Sequence, residues 1–246
     1  MHVYHVYLPS SGYGFPLCVP DLPIIPEVDL AFAISANSAQ SEANFQKMKD
    51  VISEVVEMYG KERIHYSLVI FGPSPDVKIL FGDEFESDER LKSYIQTFPR
   101  ATGSALDKTL QKVMEIFESH ARPGVKRVLV VITDANSDSD FKKLPLTGSQ
   151  LEDAKIKVIT VGLGDELDGT ELETITPRKD NVIEKPTTVQ STNLAKEIMI
   201  KVLEGDYRCL QMLIKIFCRG GSFLEQILQL KPLVFTKSLD SNFRAF

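Results

Sequence analysis

Oxygen-bearing side chains follow two of the most apolar stretches in this 246-residue chain. Residues 28–34 run into Ser35-Ala-Asn37-Ser-Ala39, and residues 127–133 run into Asp134-Ala-Asn-Ser-Asp138-Ser-Asp140. Carboxylates, amides and hydroxyls gathered at the end of a strand are the ligands that Mg²⁺ or Ca²⁺ takes. The 134–140 loop also has an ordinary reading as a solvated turn that caps the next helix, with a weak calcium site as the sharper alternative. An aspartyl nucleophile at Asp134 needs a second aspartate two residues on, where Asn136 stands. Gly162-Leu-Gly-Asp165 lacks the G-x-G-x-x-G spacing that cradles a dinucleotide and reads as a strand-to-helix turn. His2, His5, His65 and His120 are scattered without metal-ligand spacing. With no nucleophile–base pair in view, the chain reads as a non-enzyme.

The elements that must position these loops alternate regularly. Strand 28–34 leads to a helix over 41–59, where Phe45, Met48, Ile52, Val55 and Tyr59 form one apolar stripe and Gly60 ends it. A strand over 63–72 and a hairpin partner over 77–81 flank Pro73-Ser-Pro75, and a short helix follows over 88–97. A helix over 104–119 buries Leu106, Leu110, Val113 and Phe117, with Ser104 and Asp107 spaced as a capping box. Strands over 127–134 and 155–162, a short helix over 170–176, an edge strand over 181–184 and a closing helix over 191–203 complete the order. The fold class is α/β: a doubly wound, mostly parallel sheet of about six strands with helices on both faces. Residues 1–27 are a Pro-rich, irregular lead-in, 28–204 the domain, and 205–246 a C-terminal segment without a clear pattern.

Hydrophobic content of 43% and charged content of 25% are ordinary for a globular protein. A net charge of −6 disfavours nucleic acid as a partner, because phosphate-binding faces are basic. No apolar run approaches the roughly 20 residues a membrane span needs. No secretory signal is visible at the start. Of three cysteines, Cys18 and Cys209 flank the domain and can close it as a disulfide in an oxidising compartment; three free or buried thiols are the other reading.

Five stretches in this order and spacing resemble the von Willebrand factor type A domain, also called the integrin I domain. They are Asp29-Leu-Ala-Phe-Ala-Ile34, Tyr66-Ser-Leu-Val-Ile-Phe71, Thr102-Gly-Ser-Ala-Leu106, Val128-Leu-Val-Val-Ile-Thr-Asp134 and Lys157-Val-Ile-Thr-Val-Gly162. The resemblance implies a Rossmann-like fold and a metal-ion-dependent adhesion site in the loops at the sheet's carboxyl edge. Such a site uses Asp-x-Ser-x-Ser after the first strand, a Thr in the next functional loop and an Asp after the fourth strand. Here the motif's Asp falls on Ser35, its serines on Asn37 and Ala39, and its Thr on Arg100. Asp134 alone keeps the ligand type.

The resemblance therefore implies a degenerate adhesion site formed by Ser35, Asn37, Arg100 and Asp134, with no cofactor and no Mg²⁺ at physiological concentration. Arg100 is expected to contact Asp134 or to swing to solvent. The function implied is a non-enzymatic protein-binding module of an extracellular-matrix or cell-adhesion protein such as the collagens and matrilins. Its partners are other proteins of the matrix or cell surface, and its location is extracellular. The rival is an intracellular scaffold of the same family; a metal-dependent adhesion domain and an α/β enzyme stand behind it. The absent tryptophan and the irregular ends point to a fragment of a longer, multidomain chain, or to a gene model with missing or misread ends.

Overall fold

All eight residues of Val28–Ser35 (β1) are buried. A strand with no polar face must be covered on both sides, which is the requirement of a parallel sheet between two helical layers. Ile64–Phe71 (β2), Lys126–Thr133 (β4) and Ile156–Leu163 (β5) have the same nearly unbroken burial. The computed structural model describes residues 26–36, 41–101, 103, 105–134, 144–164, 169–176 and 178–204. Cys18, Asn37, Ala39, Thr102, Ser104, Asp138, Asp140, Cys209 and both flanking segments lie outside the described residues, apart from 26–27 of the lead-in.

Together with Pro75–Ile79 (β3) and Val182–Lys185 (β6), these strands form one six-stranded sheet in the order β3-β2-β1-β4-β5-β6. Every pairing is parallel except β2 with β3. The sheet and its class match the sequence expectation. β1 is central and hydrogen-bonds to β2 on one side and β4 on the other, so the chain leaves it in one direction and later returns on the opposite flank. That reversal places the loops after β1 and β4 side by side at the carboxyl edge.

Alternation within each strand divides the core in two. Ala31 and Ala33 of β1, Leu129 and Val131 of β4, and Ile156 and Val158 of β5 share a cluster with Leu110, Val113 and Phe117. Those last three belong to Leu106–His120 (α3), which packs beside Leu144–Asp153 (α4). The intervening strand residues, Leu30, Phe32, Ile34, Val128, Val130 and Ile132, are equally buried and point to the other side. Glu42–Tyr59 (α1) packs against Asp88–Gln96 (α2) and Ser191–Leu203 (α6). The stripe expected on α1 is buried at all five positions.

Besides the N-cap of α3, which is Ala105 without a side-chain bond in place of the expected capping box, two details depart from the sequence reading. β3 spans Pro75–Ile79, two residues before the expected hairpin partner, because Pro75 itself opens the strand. A proline is tolerated at the first position of an edge strand, where its missing N–H removes no ladder bond that matters. Ser67 Oγ then donates to Ile79 O at 2.8 Å and fixes that register beside a bulge at Leu68 and Val69. The second departure is α4, which the sequence reading lacks altogether. Its Leu-Pro-Leu-Thr-Gly-Ser-Gln run carries two helix-disfavouring residues and little periodicity. Gly148 is there for contact: a Cβ on it would stand 2.6 Å from Ile175 O, at the end of the helix Gly169–Ile175 (α5).

At the amino edge, Asp29 is fully buried and holds Arg122 by two bonds, from its backbone N at 2.6 Å and its Nε at 2.8 Å. The same guanidinium donates to the carbonyls of Val28 and Arg63. One side chain thus ties the turn ahead of β4 to the starts of β1 and β2.

Candidate functional site

β1 ends at Ser35, which is 2% exposed, and the chain continues through buried Ala36. Ala36 O accepts from Ala101 N at 2.8 Å, so the segment after α2 is strapped to the end of β1 by its backbone. Ala105 N donates to Gly72 O at 2.7 Å and ties the same segment to the end of β2. Gly103 is in the left-handed region (φ 76°), a conformation that favours glycine over any branched residue. These bonds hold Arg100 over the carboxyl edge beside Ser35.

Arg100 does not swing to solvent. Its side chain is 19% exposed, and Nη1 donates to Oε2 of Glu42 at 3.2 Å, in the first turn of α1. Its Nε is buried and makes no hydrogen bond within the described residues. Asp134, at the end of β4, is 8% exposed. Burial pushes its carboxyl pKa upward, and this outweighs a hydrogen bond with the Asn44 side chain, one with its own backbone, and the attraction of the Arg100 charge. The structure thus brings Ser35, Arg100 and Asp134 to one edge. Asn37 lies outside the described residues.

Two participants escape the sequence reading, Glu42 and Asn44. Asn44 stands four residues before Met48 and so shares its side of α1, but spacing does not say that this first turn meets the end of β4. Glu42 is the acidic residue of the first helical turn, a position usually explained by the helix dipole. What residue order does not supply is the approach of that turn to Arg100, 58 residues further on.

Magnesium needs six oxygens in octahedral array, anchored by one or two carboxylates. The described donors at this edge are a hydroxyl, a desolvated carboxylate held by an amide, and a second carboxylate already engaged by a guanidinium. A divalent cation there would stand beside the permanent positive charge of Arg100. Within the described residues, this donor set falls short of the six oxygens that magnesium takes. Among the described residues no group of three His, Cys, Asp or Glu side chains could hold a metal ion. No described helix is long and apolar enough to cross a membrane.

The sequence model of the von Willebrand factor type A domain matches residues 29–198. A collagen alpha-4(VI) chain of Mus musculus is 27% identical over 158 residues, which cover 63% of this chain and 7% of the collagen. Integrin alpha-M of Mus musculus is 28% identical over 118 residues, covering 46% of this chain and 10% of the integrin. Among solved structures, proximal thread matrix protein 1 from the mussel byssus superposes with a TM-score of 0.63 at 21% identity, covering 71% of this chain and 47% of that one. The last likeness concerns the fold. The chain spans 7% and 10% of the length of the two curated relatives.

Proposed function

This chain belongs to the von Willebrand factor type A domain family, and on that premise we propose that it is a metal-independent protein-binding module of an extracellular-matrix or cell-adhesion protein. Its contact surface is the carboxyl edge of the sheet, around Ser35, Asn37, Arg100 and Asp134. Relatives that include a collagen chain and an integrin support the extracellular reading.

The observation that carries the metal-independent reading is the Arg100–Glu42 pair beside a desolvated Asp134. A divalent ion would offer positive charge and an open coordination position to an acidic partner. Arg100 offers a positive charge that needs no ion. Among the described residues nothing at this edge activates a nucleophile, which supports reading the site as one that binds.

The test is solid-phase binding of the full chain to decellularised matrix and to purified collagens, with EDTA or with added Mg²⁺. Saturable binding indifferent to EDTA, and weakened by Arg100→Glu, is the expected result. Binding that requires the metal contradicts the metal-independent reading. Absence of saturable binding to any matrix protein contradicts the adhesion reading.

A further inference from the structure

The end of the sheet opposite the adhesion loops carries a cavity of about 320 Å³, large enough for a ligand the size of a monosaccharide. Its walls bring together Lys155, Lys157, Arg178 and Asn181, with Glu152 and Glu204 beside them. They come from four places in the fold: the end of α4, the start of β5, the turn Lys179–Asn181 with the residue before it, and the residue after α6. Three cations on one concavity stand out in a chain of net charge −6.

The three cations differ in what already holds them. Lys157 Nζ donates to Lys201 O at 2.6 Å and pairs with Glu204 at 3.2 Å, covering the carboxyl end of α6. Lys155 and Arg178 are exposed and form no ion pair with another described residue. Asn181 is only 4% exposed, lines the cavity, and its side-chain amide makes no hydrogen bond to another described residue. Among the described residues the amide is therefore open to a ligand in the cavity that it lines. Lys155 also sits at φ 58°, a backbone position where glycine or asparagine is the cheaper choice after a helix.

We propose that this cavity binds a sulfate or phosphate monoester carried on a sugar-sized ligand. Arg178 and Lys155 supply charge-assisted donors to the ester oxygens, and the Asn181 amide supplies a neutral donor from below. Lys157 adds its charge from the strand. Glu152 and Glu204, which would repel a bare anion, are acceptors for the hydroxyl groups of a sugar. The combination of cationic donors with carboxylate acceptors selects an anionic sugar over an inorganic ion. Lys157 is held below its ordinary pKa, first by burial and further by the charges of Lys201 and Arg178, against the pull of Glu204. A bound ester oxyanion relieves that crowding of positive charge.

The test is a two-dimensional amide NMR titration of the full chain with glucose 6-sulfate and glucose 6-phosphate. Inorganic sulfate, inorganic phosphate and glucose serve as separate arms. Saturable shifts confined to residues near 155–158 and 178–181 are expected for at least one ester, and the tighter ester identifies the source of the oxyanion. Arg178→Gln and Lys155→Gln, whose side chains form no ion pair with another described residue, should each weaken binding about tenfold with unchanged melting. Equal affinity for ester and inorganic ion overturns the sugar-sized ligand. Absence of saturable shifts, shifts spread over all surface lysines, or an undiminished affinity in Arg178→Gln overturns the site.

Discussion

Nη1 of Arg100 donates to Oε2 of Glu42 across 3.2 Å, joining the segment after α2 to the first turn of α1. The Glu42 side chain is 73% exposed, so solvent screens the pair and its contribution to stability is at most about 1 kcal/mol. Its importance is positional. The pair keeps a guanidinium at the edge where β1 and β4 end, among residues that only the fold brings together.

Asp134→Asn is expected to raise the melting temperature at pH 7. Burial lifts the carboxyl pKa in the folded protein, so the folded state holds its proton more tightly than the unfolded chain does. Stability conferred through this group therefore grows as pH falls through the window between the two pKa values, and ionisation above that window costs stability. The substitution removes the cost while keeping an oxygen for the Asn44 amide. Its advantage should shrink as pH falls through that window and vanish below about pH 4, where the unfolded carboxyl is protonated too. Thermal melts of both proteins between about pH 3 and pH 8, spanning the ordinary carboxylate range, check this; a destabilised variant at pH 7 contradicts it.

Asp29→Ala strips Arg122 of both bonds to a fully buried carboxylate. Breaking one partner of such a pair costs on the order of 3 kcal/mol, because the remaining charge is left poorly solvated. Urea denaturation should show a lower midpoint with an unchanged slope. A loss below about 1 kcal/mol, the scale of an exposed pair, would mean that water takes over the role of Asp29.

Gly148→Ala separates helix propensity from packing. In an exposed helix interior the change stabilises by up to about 1 kcal/mol. Here the added Cβ would lie 2.6 Å from Ile175 O, so α4 and α5 must part. The expected outcome is destabilisation of about 1–3 kcal/mol, read from the same denaturation curves. A stabilised variant shows that the two helices yield without strain.

The sheet is legible in the sequence because its strands are buried on both faces, and an unbroken apolar run such as 128–132 fits a strand covered by two layers. α1 is legible for the opposite reason, a stripe at 3- and 4-residue spacing. α4 is hidden because contact with α5 demands Gly148, and that residue argues locally against a helix. β3 shifts by two residues because Pro75 reads as turn chemistry when its position on a sheet edge is unknown. At the candidate site, Ser35, Arg100 and Asp134 are named through the resemblance to the family's motif, which assigns them their positions. Glu42 and Asn44 are not, since their roles depend on where the first turn of α1 meets the ends of β1 and β4.

The most direct measurement is calorimetric titration of the full chain with Mg²⁺ and Mn²⁺, beside the double variant Ser35→Asp, Arg100→Thr. The unmodified chain should show no saturable binding tighter than about millimolar, because a guanidinium occupies the edge and one ligand carboxylate is missing. The variant, which adds a ligand charge and deletes a repulsive one, should gain measurable affinity. Saturable, submillimolar Mg²⁺ binding by the unmodified chain would contradict a metal-independent site and make its partner binding metal-dependent.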